Sequence, residues 1–455
     1  MHPLLLRATF LLSAVVVFRI LYATFTAAAS RLRSIPGPFV ARFTKQWFFW
    51  KVWQGDFEVT NIDLHKKYGP IVRVAPNQYV IDDPAAIKTI YGIGSKFTKS
   101  DWYQGWKHPS PDRWTLFPDQ DVKRHAENRK RFQAMYSLSS LVTYEQFVDD
   151  CTKLLVDKLA KFAREGREVN MCHWFQCYAF DVIGAITYGK RFGFLDAGED
   201  IENAMKALHG TMIYGTMVGI YPQFHAPIYY AMSRFKSTPV GGRAYLMEFV
   251  GDLVAQRKKE RADPSFTDLK RTEEGSSSPQ TFLDKMLIAH EKDPQKVTPY
   301  HVFMMGLSNV IAGSDTTSIS LSATLYHLLR TPSVVQNLRD EINSAIATGN
   351  CSVPNVTFKE SQNMPYLQAV MKEALRVHSA TGLPLWRVVP EGGVEISGNF
   401  FPAGTVLGVN TWCAHYNKDV FGPDAELFRP ERWAEAEKVG GEKLREMNAY
   451  YMPHT

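Results

Sequence analysis

Six consecutive residues, Ala312-Gly313-Ser314-Asp315-Thr316-Thr317, place a glycine, a carboxylic acid and three hydroxyls inside an apolar stretch. At a dry site, Asp315 and Thr316 can handle protons while Gly313 lets a ligand approach the backbone. A second reading needs no chemistry: Thr316 and Thr317 bond back to carbonyls one turn earlier and bend a buried helix. An aspartate buried without a partner is costly, which sets the first reading ahead. Two further pairs draw notice. His125 and Arg129 are four apart and share a helical face, which by itself reads as a solvated basic surface. Glu373 and Arg376 form an ExxR pair, but the spacing recurs at Glu426–Arg429 and Glu442–Arg445. Only the apolar setting of the first pair singles it out. Arg432, in Phe428-Arg429-Pro430-Glu431-Arg432-Trp433, can complete a buried network with it, since a buried ion pair needs extra partners to offset desolvation.

The elements that must position these groups are mostly helices. Thr298-Pro299 is a start signal and Thr331-Pro332 a stop. Between them apolar residues run almost all round, predicting a helix through a core, about 45 Å long at 1.5 Å per residue. Its middle, Gly313 to Ser318, is made of poor helix formers. Further helices are predicted at Tyr144–Phe162, Phe175–Tyr188 and Met205–Phe224, with a polar surface loop at Lys270–Gln280. Ile71–Val74 and Tyr79–Ile81 flank a Pro76-Asn77 turn as a hairpin, and Asp83-Pro84 opens a helix. Phe97–Phe117 is a loop dense in Trp102, Tyr103, Trp106, Trp114 and Phe117, which either packs the surface shut or lines an apolar pocket. After the ExxR helix come an extended Pro384–Val389 and a Phe400–Val409 hairpin region. The fold class is mainly α with small β-sheets.

A net charge of +6 over 455 residues, without a basic run interleaved with aromatics, excludes nucleic acid as an expected partner. Five cysteines without a CxxC pair argue against a disulfide framework and for a reducing compartment. Residues 1–30 hold the apolar run Leu4–Ala29, interrupted by Arg7 and Arg19. It reads as a transmembrane anchor first, as a helix lying in the interface second and as a cleaved signal peptide third. Residues 31–38, with Arg31, Arg33 and Ile35-Pro36-Gly37-Pro38, read as a basic flank and hinge.

In this order the residues resemble the cytochrome P450 family, the haem-thiolate monooxygenases, over 39–455. Phe180-Asp181-Val182-Ile183-Gly184 and Tyr188-Gly189-Lys190-Arg191-Phe192-Gly193-Phe194 look like the fungal pisatin demethylase-like group. The resemblance implies haem b crossed by the central helix, Asp315 and Thr316 delivering protons, and Gly313 leaving room for oxygen. Glu373, Arg376 and Arg432 become the structural triad, and His125, Arg129 and Arg387 contact the haem propionates; the family usually has tryptophan where His125 stands. It also implies an NADPH–cytochrome P450 reductase as partner and a small apolar substrate from secondary metabolism. The chain would be held at the endoplasmic reticulum membrane with its catalytic domain cytosolic. The family continues with a Phe-x-x-Gly-x-Arg-x-Cys-x-Gly loop whose cysteine ligates iron, and a last helix. Here Tyr450-Tyr451-Met452-Pro453 leads to His454-Thr455, so the expectation is a C-terminally incomplete member without the axial ligand, for which Cys413, Cys351 and His454 are poor substitutes.

Overall fold

A computed structural model of the chain describes residues 3–235, 238–262 and 280–453. The expected polar loop before the central helix falls outside the described residues except for Gln280, and His454 falls outside them too. The principal helices are α1 (Pro3–Ala29), α2 (Phe57–Tyr68), α3 (Val122–Gln133), α4 (Glu145–Arg164), α5 (Met171–Tyr188), α6 (Ala204–Ile220), α7 (His225–Met232), α8 (Pro239–Ala262), α9 (Pro299–Arg330) and α10 (Pro365–Val377). The strands are short: β1 (Ile71–Ala75), β2 (Gln78–Ile81), β3 (Thr98–Lys99), β4 (Arg387–Val388), β5 (Val394–Ile396), β6 (Asn399–Phe401) and β7 (Val406–Gly408). With 66% of residues helical, the fold is mainly α with small sheets, as read from the sequence. The chain divides into two compact units, one of Met1–Trp102, Thr381–Leu427 and Glu435–Thr455, the other of Tyr103–Ala380 and Phe428–Ala434.

The first unit is built on a five-stranded sheet of order β1-β2-β7-β4-β3. The predicted hairpin is there, with Ile71 opposite Ile81 and Val72 opposite Val80. Every residue of β1 and β2 is buried, so this is a core sheet rather than a half-solvated one. Asp83 Oδ1 accepts from Ala85 N and caps the helix that follows, at the Asp83-Pro84 signal. The Phe400–Val409 region is not one hairpin. β6 pairs with β5 in a separate two-stranded sheet, while β7 runs parallel to β2. The tight turn lies earlier, at Ser397-Gly398, where both residues have positive φ (50° and 71°), the conformation that joins twisted antiparallel strands.

Leu4–Ala29 forms a single helix, yet among the described residues no helix is long and apolar enough to cross a membrane. The expected transmembrane helix is therefore not what the structure offers. Arg7 and Arg19 divide the apolar run, and each arginine at membrane depth costs about 2.5–3.5 kcal/mol. Its large side chains, among them Phe10, Leu11, Val15, Phe18, Leu21 and Phe25, are exposed. The segment read as a hinge is docked rather than free. Leu32 and Ile35 are buried, Arg73 N donates to Pro36 O at 2.8 Å, and Arg73 Nη2 donates to Leu32 O at 2.5 Å. At Gly37 a Cβ would lie 2.3 Å from Arg73 O, so only glycine permits this approach.

The second unit is helical and organised on α9, which begins at Pro299 behind Thr298 and ends at Arg330 before Thr331. Its first half is the buried one: Val302, Met304, Met305, Gly306, Leu307 and Val310 sit in a core shared with α4, α5 and α8. Further along, Ile319, Tyr326 and Leu329 are exposed, so the helix is not apolar-packed on all sides throughout. α5 lies against α9 because two glycines make room. A Cβ on Gly306 would stand 2.5 Å from Tyr188 Oη, and one on Gly313 2.8 Å from Ile183 Cδ1. Seven residues apart, the two glycines share one helical face. Between them Asn309 Nδ2 donates to Thr187 Oγ1 at 3.0 Å.

α5 ends at Gly189, whose φ of 79° terminates the helix, and the chain then turns back under a buried carboxylate. Asp181 accepts from Gly193 N at 2.8 Å, Phe194 N at 3.2 Å and Leu195 N at 2.9 Å. These three backbone donors would otherwise be stranded in the core.

Candidate functional site

In α9 the Ala312–Thr317 stretch is helical throughout. Asp315 is half-buried, and Gln176 Nε2 on α5 donates to its Oδ1 at 2.7 Å. Burial pushes its carboxyl above the ordinary range, against the pull of the Gln176 bond and of nearby His209. A raised carboxyl holds a proton closer to neutrality, which suits proton transfer. Gln176 was not foreseen from the sequence; a polar side chain among the aromatic and aliphatic residues of α5 was the signal available. Thr316 is exposed, and its hydroxyl donates to Ala312 O at 2.6 Å, the back-bond of the second reading. Gly313 is satisfied by packing: the volume a Cβ would need is taken by Ile183.

The hydroxyls continue along the helix. Ser314, Ser318, Ser320, Ser322 and Thr324 each donate to a carbonyl three or four residues earlier, at 2.7–2.9 Å. Such bonds occupy the hydroxyl proton and tilt the carbonyls that receive it.

The ExxR pair sits on α10. Arg376 Nε and Nη2 donate to Glu373 Oε2 and Oε1 at 2.9 and 2.8 Å, a bidentate pair with both side chains fully buried. Arg432 Nε reaches Glu373 Oε1 at 2.8 Å, Arg429 N the same oxygen at 3.0 Å, and Trp433 Nε1 donates to Oε2 at 3.0 Å. Burial alone would raise the Glu373 carboxyl, but Arg376, Arg432 and the Arg429 N–H hold it below the ordinary range. The indole of Trp433 was not foreseen. The other two copies of the spacing make no such network: Glu426 pairs with Lys66 and Lys418 at the surface, and Arg445 bonds Gly441 O.

His125 is half-buried and Arg129 exposed, one turn apart on α3. Arg387, in the other unit, is half-buried in β4; its Nη1 donates to Leu385 O and Trp386 O at 3.1 and 3.2 Å, and its guanidinium lies 5.2 Å from the Tyr91 ring centre. His125 and Arg129 belong to the helical unit and Arg387 to the sheet unit.

A profile of the family described as Cytochrome P450 matches residues 40–454, and the chain belongs to that family. It is 37% identical over 431 residues to a pisatin demethylase of Fusarium vanettenii, covering 94% of this chain and 80% of that one. It is 34% identical over 434 residues to a cytochrome P450 monooxygenase of Aspergillus terreus, covering 92% and 83%. A third relative, from Penicillium aethiopicum, is a cytochrome P450 monooxygenase 30% identical over 410 residues, covering 89% and 79%.

The family implies haem, so the residues present can be tested against it. Arg129 is an exposed cation with no hydrogen bond or ion pair among the described residues, which suits a propionate. The cysteines do not suit the iron. A ligand must be a thiolate, which needs a lowered pKa. Burial pushes Cys151 and Cys177 up to about 12 and Cys413 well above the ordinary thiol, and Cys413 Sγ already accepts from Asn61 Nδ2 at 2.7 Å. Cys351 is buried with its Sγ on Ser352 O at 3.6 Å, and Cys172 lies exposed on α5. No group among the five fits an axial thiolate.

Proposed function

We propose that the chain is a fungal secondary-metabolite monooxygenase acting on a small apolar substrate, with electrons from an NADPH–cytochrome P450 reductase. The observation that carries this reading is Asp315, half-buried on the long central helix, held by Gln176 and followed directly by Thr316, within a chain of this family. Bound haem supplies the oxygen-activating redox chemistry. The chain's own part is to bind the substrate, keep the site dry and move protons. Asp315, with its raised carboxyl, takes a proton from solvent, and Thr316 passes it on once its hydroxyl leaves Ala312 O. His125, Arg129 and Arg387 donate to the propionates, and Glu373, Arg376 and Arg432 brace the fold without touching substrate. The catalytic body runs from residue 39. Helix α1 holds the protein at the endoplasmic reticulum membrane, its exposed apolar side chains in the interface and Arg31 and Arg33 on the cytosolic side.

The environment of the five cysteines favours a second reading: a membrane-attached binding protein of the same fold without oxygen chemistry. One experiment separates the two. The chain is purified with haem supplied, and oxidation of a panel of small apolar compounds is measured with reductase and NADPH alongside the reduced carbon monoxide difference spectrum. Turnover with a thiolate-type band supports the monooxygenase. Bound haem with neither turnover nor that band sinks it in favour of the second reading.

A further inference from the structure

Far along the sequence from the Asp315 stretch, the helical unit holds a cation without a counter-charge. Arg243, in the first turns of α8, is 7% exposed. Its Nη1 donates to Trp106 O at 2.9 Å, its Nε has no hydrogen-bond partner, and no carboxylate meets it among the described residues. The other deeply buried arginines of this unit are paired, Arg376 and Arg432 with Glu373. An unpaired buried charge costs several kcal/mol, and its place on the helix adds to that. The start of a helix carries the positive end of its dipole, which repels a cation and attracts an anion.

The neighbours carry charge of the same sign. Arg113 and Lys107 come from the Phe97–Phe117 loop, and burial first, then Arg243 and these cations, depress the imidazoles of His108 on that loop and His225 on α7. Burial first, then these charges, push His225 down to about 4, so it is neutral, joined through Nδ1 to Tyr214 Oη and through Nε2 to Lys107 O, both at 3.0 Å. Asp112, which acts on His108, is exposed and bonded by Ser110 Oγ. Aromatic rings complete the surround. Tyr214, Tyr229 and Tyr300 lie close enough to influence Arg243, and the Trp106 ring lies against α6 where a Cβ on Gly215 would meet it at 2.7 Å. Tyr300 Oη is held by Trp114 O at 2.7 Å, and His108 packs on Tyr229 with ring centres 5.0 Å apart. The tip of the Phe97–Phe117 loop, Pro111 to Arg113, is exposed.

We propose that Arg243 is the anchor for a single carboxylate on an otherwise apolar, aromatic substrate. A guanidinium is weakly hydrated and its fork matches a carboxylate in two parallel hydrogen bonds, while Trp106 and the tyrosines supply flat apolar walls. The assignment rests on the monooxygenase reading only for the word substrate; the recognition itself is a binding property.

Calorimetric titration of the full chain with 2-naphthoic acid and, separately, its uncharged methyl ester tests it. The acid should bind about tenfold or more tightly than the ester, the gain of one charge-assisted bidentate pair. Arg243→Met should erase that preference, Arg243→Lys should keep part of it, and Arg113→Ala, at the exposed tip, should leave most of it. Equal affinities for acid and ester in the unaltered chain overturn the proposal, as does a folded Arg243→Met that keeps the full preference. If Arg243→Met does not fold, the unaltered chain and Arg243→Lys still decide. Acid preference without turnover counts against the monooxygenase reading alone, and turnover without acid preference counts against this proposal alone.

Discussion

Removing the charge of Glu373 should unfold the helical unit more readily than any surface change. Its side chain and that of Arg376 are fully buried and Arg432 nearly so, and its two oxygens take donors from Arg376, Arg432, Arg429 N and Trp433. Taking away one partner of such a pair strands the other charge at about 3–5 kcal/mol. Glu373→Ala strands two guanidiniums and should reach the upper end, about 5 kcal/mol. Glu373→Gln keeps the shape and one acceptor but turns an amide NH₂ toward donors, and should cost about 3 kcal/mol. Replacing all three by apolar residues of similar volume should cost less than Glu373→Ala alone, because the desolvation of the ions disappears with them. The assay is urea unfolding followed by near-ultraviolet circular dichroism, to which Trp433 contributes. Its pH dependence has a fixed sign. The folded Glu373 carboxyl lies below its ordinary 4.5, so its stabilisation is present above that pH and fades as pH falls through the lower folded value. A Glu373→Gln variant within about 1 kcal/mol of the unaltered chain at pH 7 would refute the reasoning, since that is the size of an ordinary surface substitution.

Gly313→Ala should destabilise by about 1–2 kcal/mol through its clash with Ile183, and Ile183→Ala in the same chain should recover a measurable part; additivity in thermal melts would show that the glycine serves something other than this packing. His65 is buried with its ring pushed down to about 4 by burial, against its bond to Gly69 O. Its neutral form therefore contributes stability above pH 6.5 that is lost as pH falls toward 4, by about 3 kcal/mol in all, and His65→Gln should flatten that slope in urea midpoints taken across the window. Asp82 works the other way, its carboxyl raised to about 6 by burial, so Asp82→Asn should gain relative stability as pH rises from 4 to 7. A chain starting at Ser34 should leave the membrane pellet on fractionation; full retention there would count against α1 as the attachment.

The long helix and its limits were legible because Thr298-Pro299 and Thr331-Pro332 are local signals, read without tertiary knowledge. The β1–β2 hairpin was legible for the same reason. The split of Phe400–Val409 between two sheets was not, since β7 finds its partner in β2, more than three hundred residues earlier. The triad could be proposed from motif and setting, whereas Trp433 and Gln176 entered only once two helices and a turn were side by side. Gly313 shows the converse. Its identity was plain, but the neighbour that requires it, Ile183, lies on another helix. The docked state of residues 31–38 depends on Arg73, which nothing in the local proline pattern announces.

The row of hydroxyls on α9 has a mechanical consequence. Over Ser314 to Thr324, carbonyls on the helix receive an O–H as well as the backbone N–H, and a shared acceptor holds each donor more weakly. A 32-residue helix about 48 Å long should therefore be stiff over its buried first half and more compliant from Ser314 to Thr324. Backbone amides there should exchange with deuterium sooner than those of the buried first half, and a bend forced on one end would be absorbed before it reached the other.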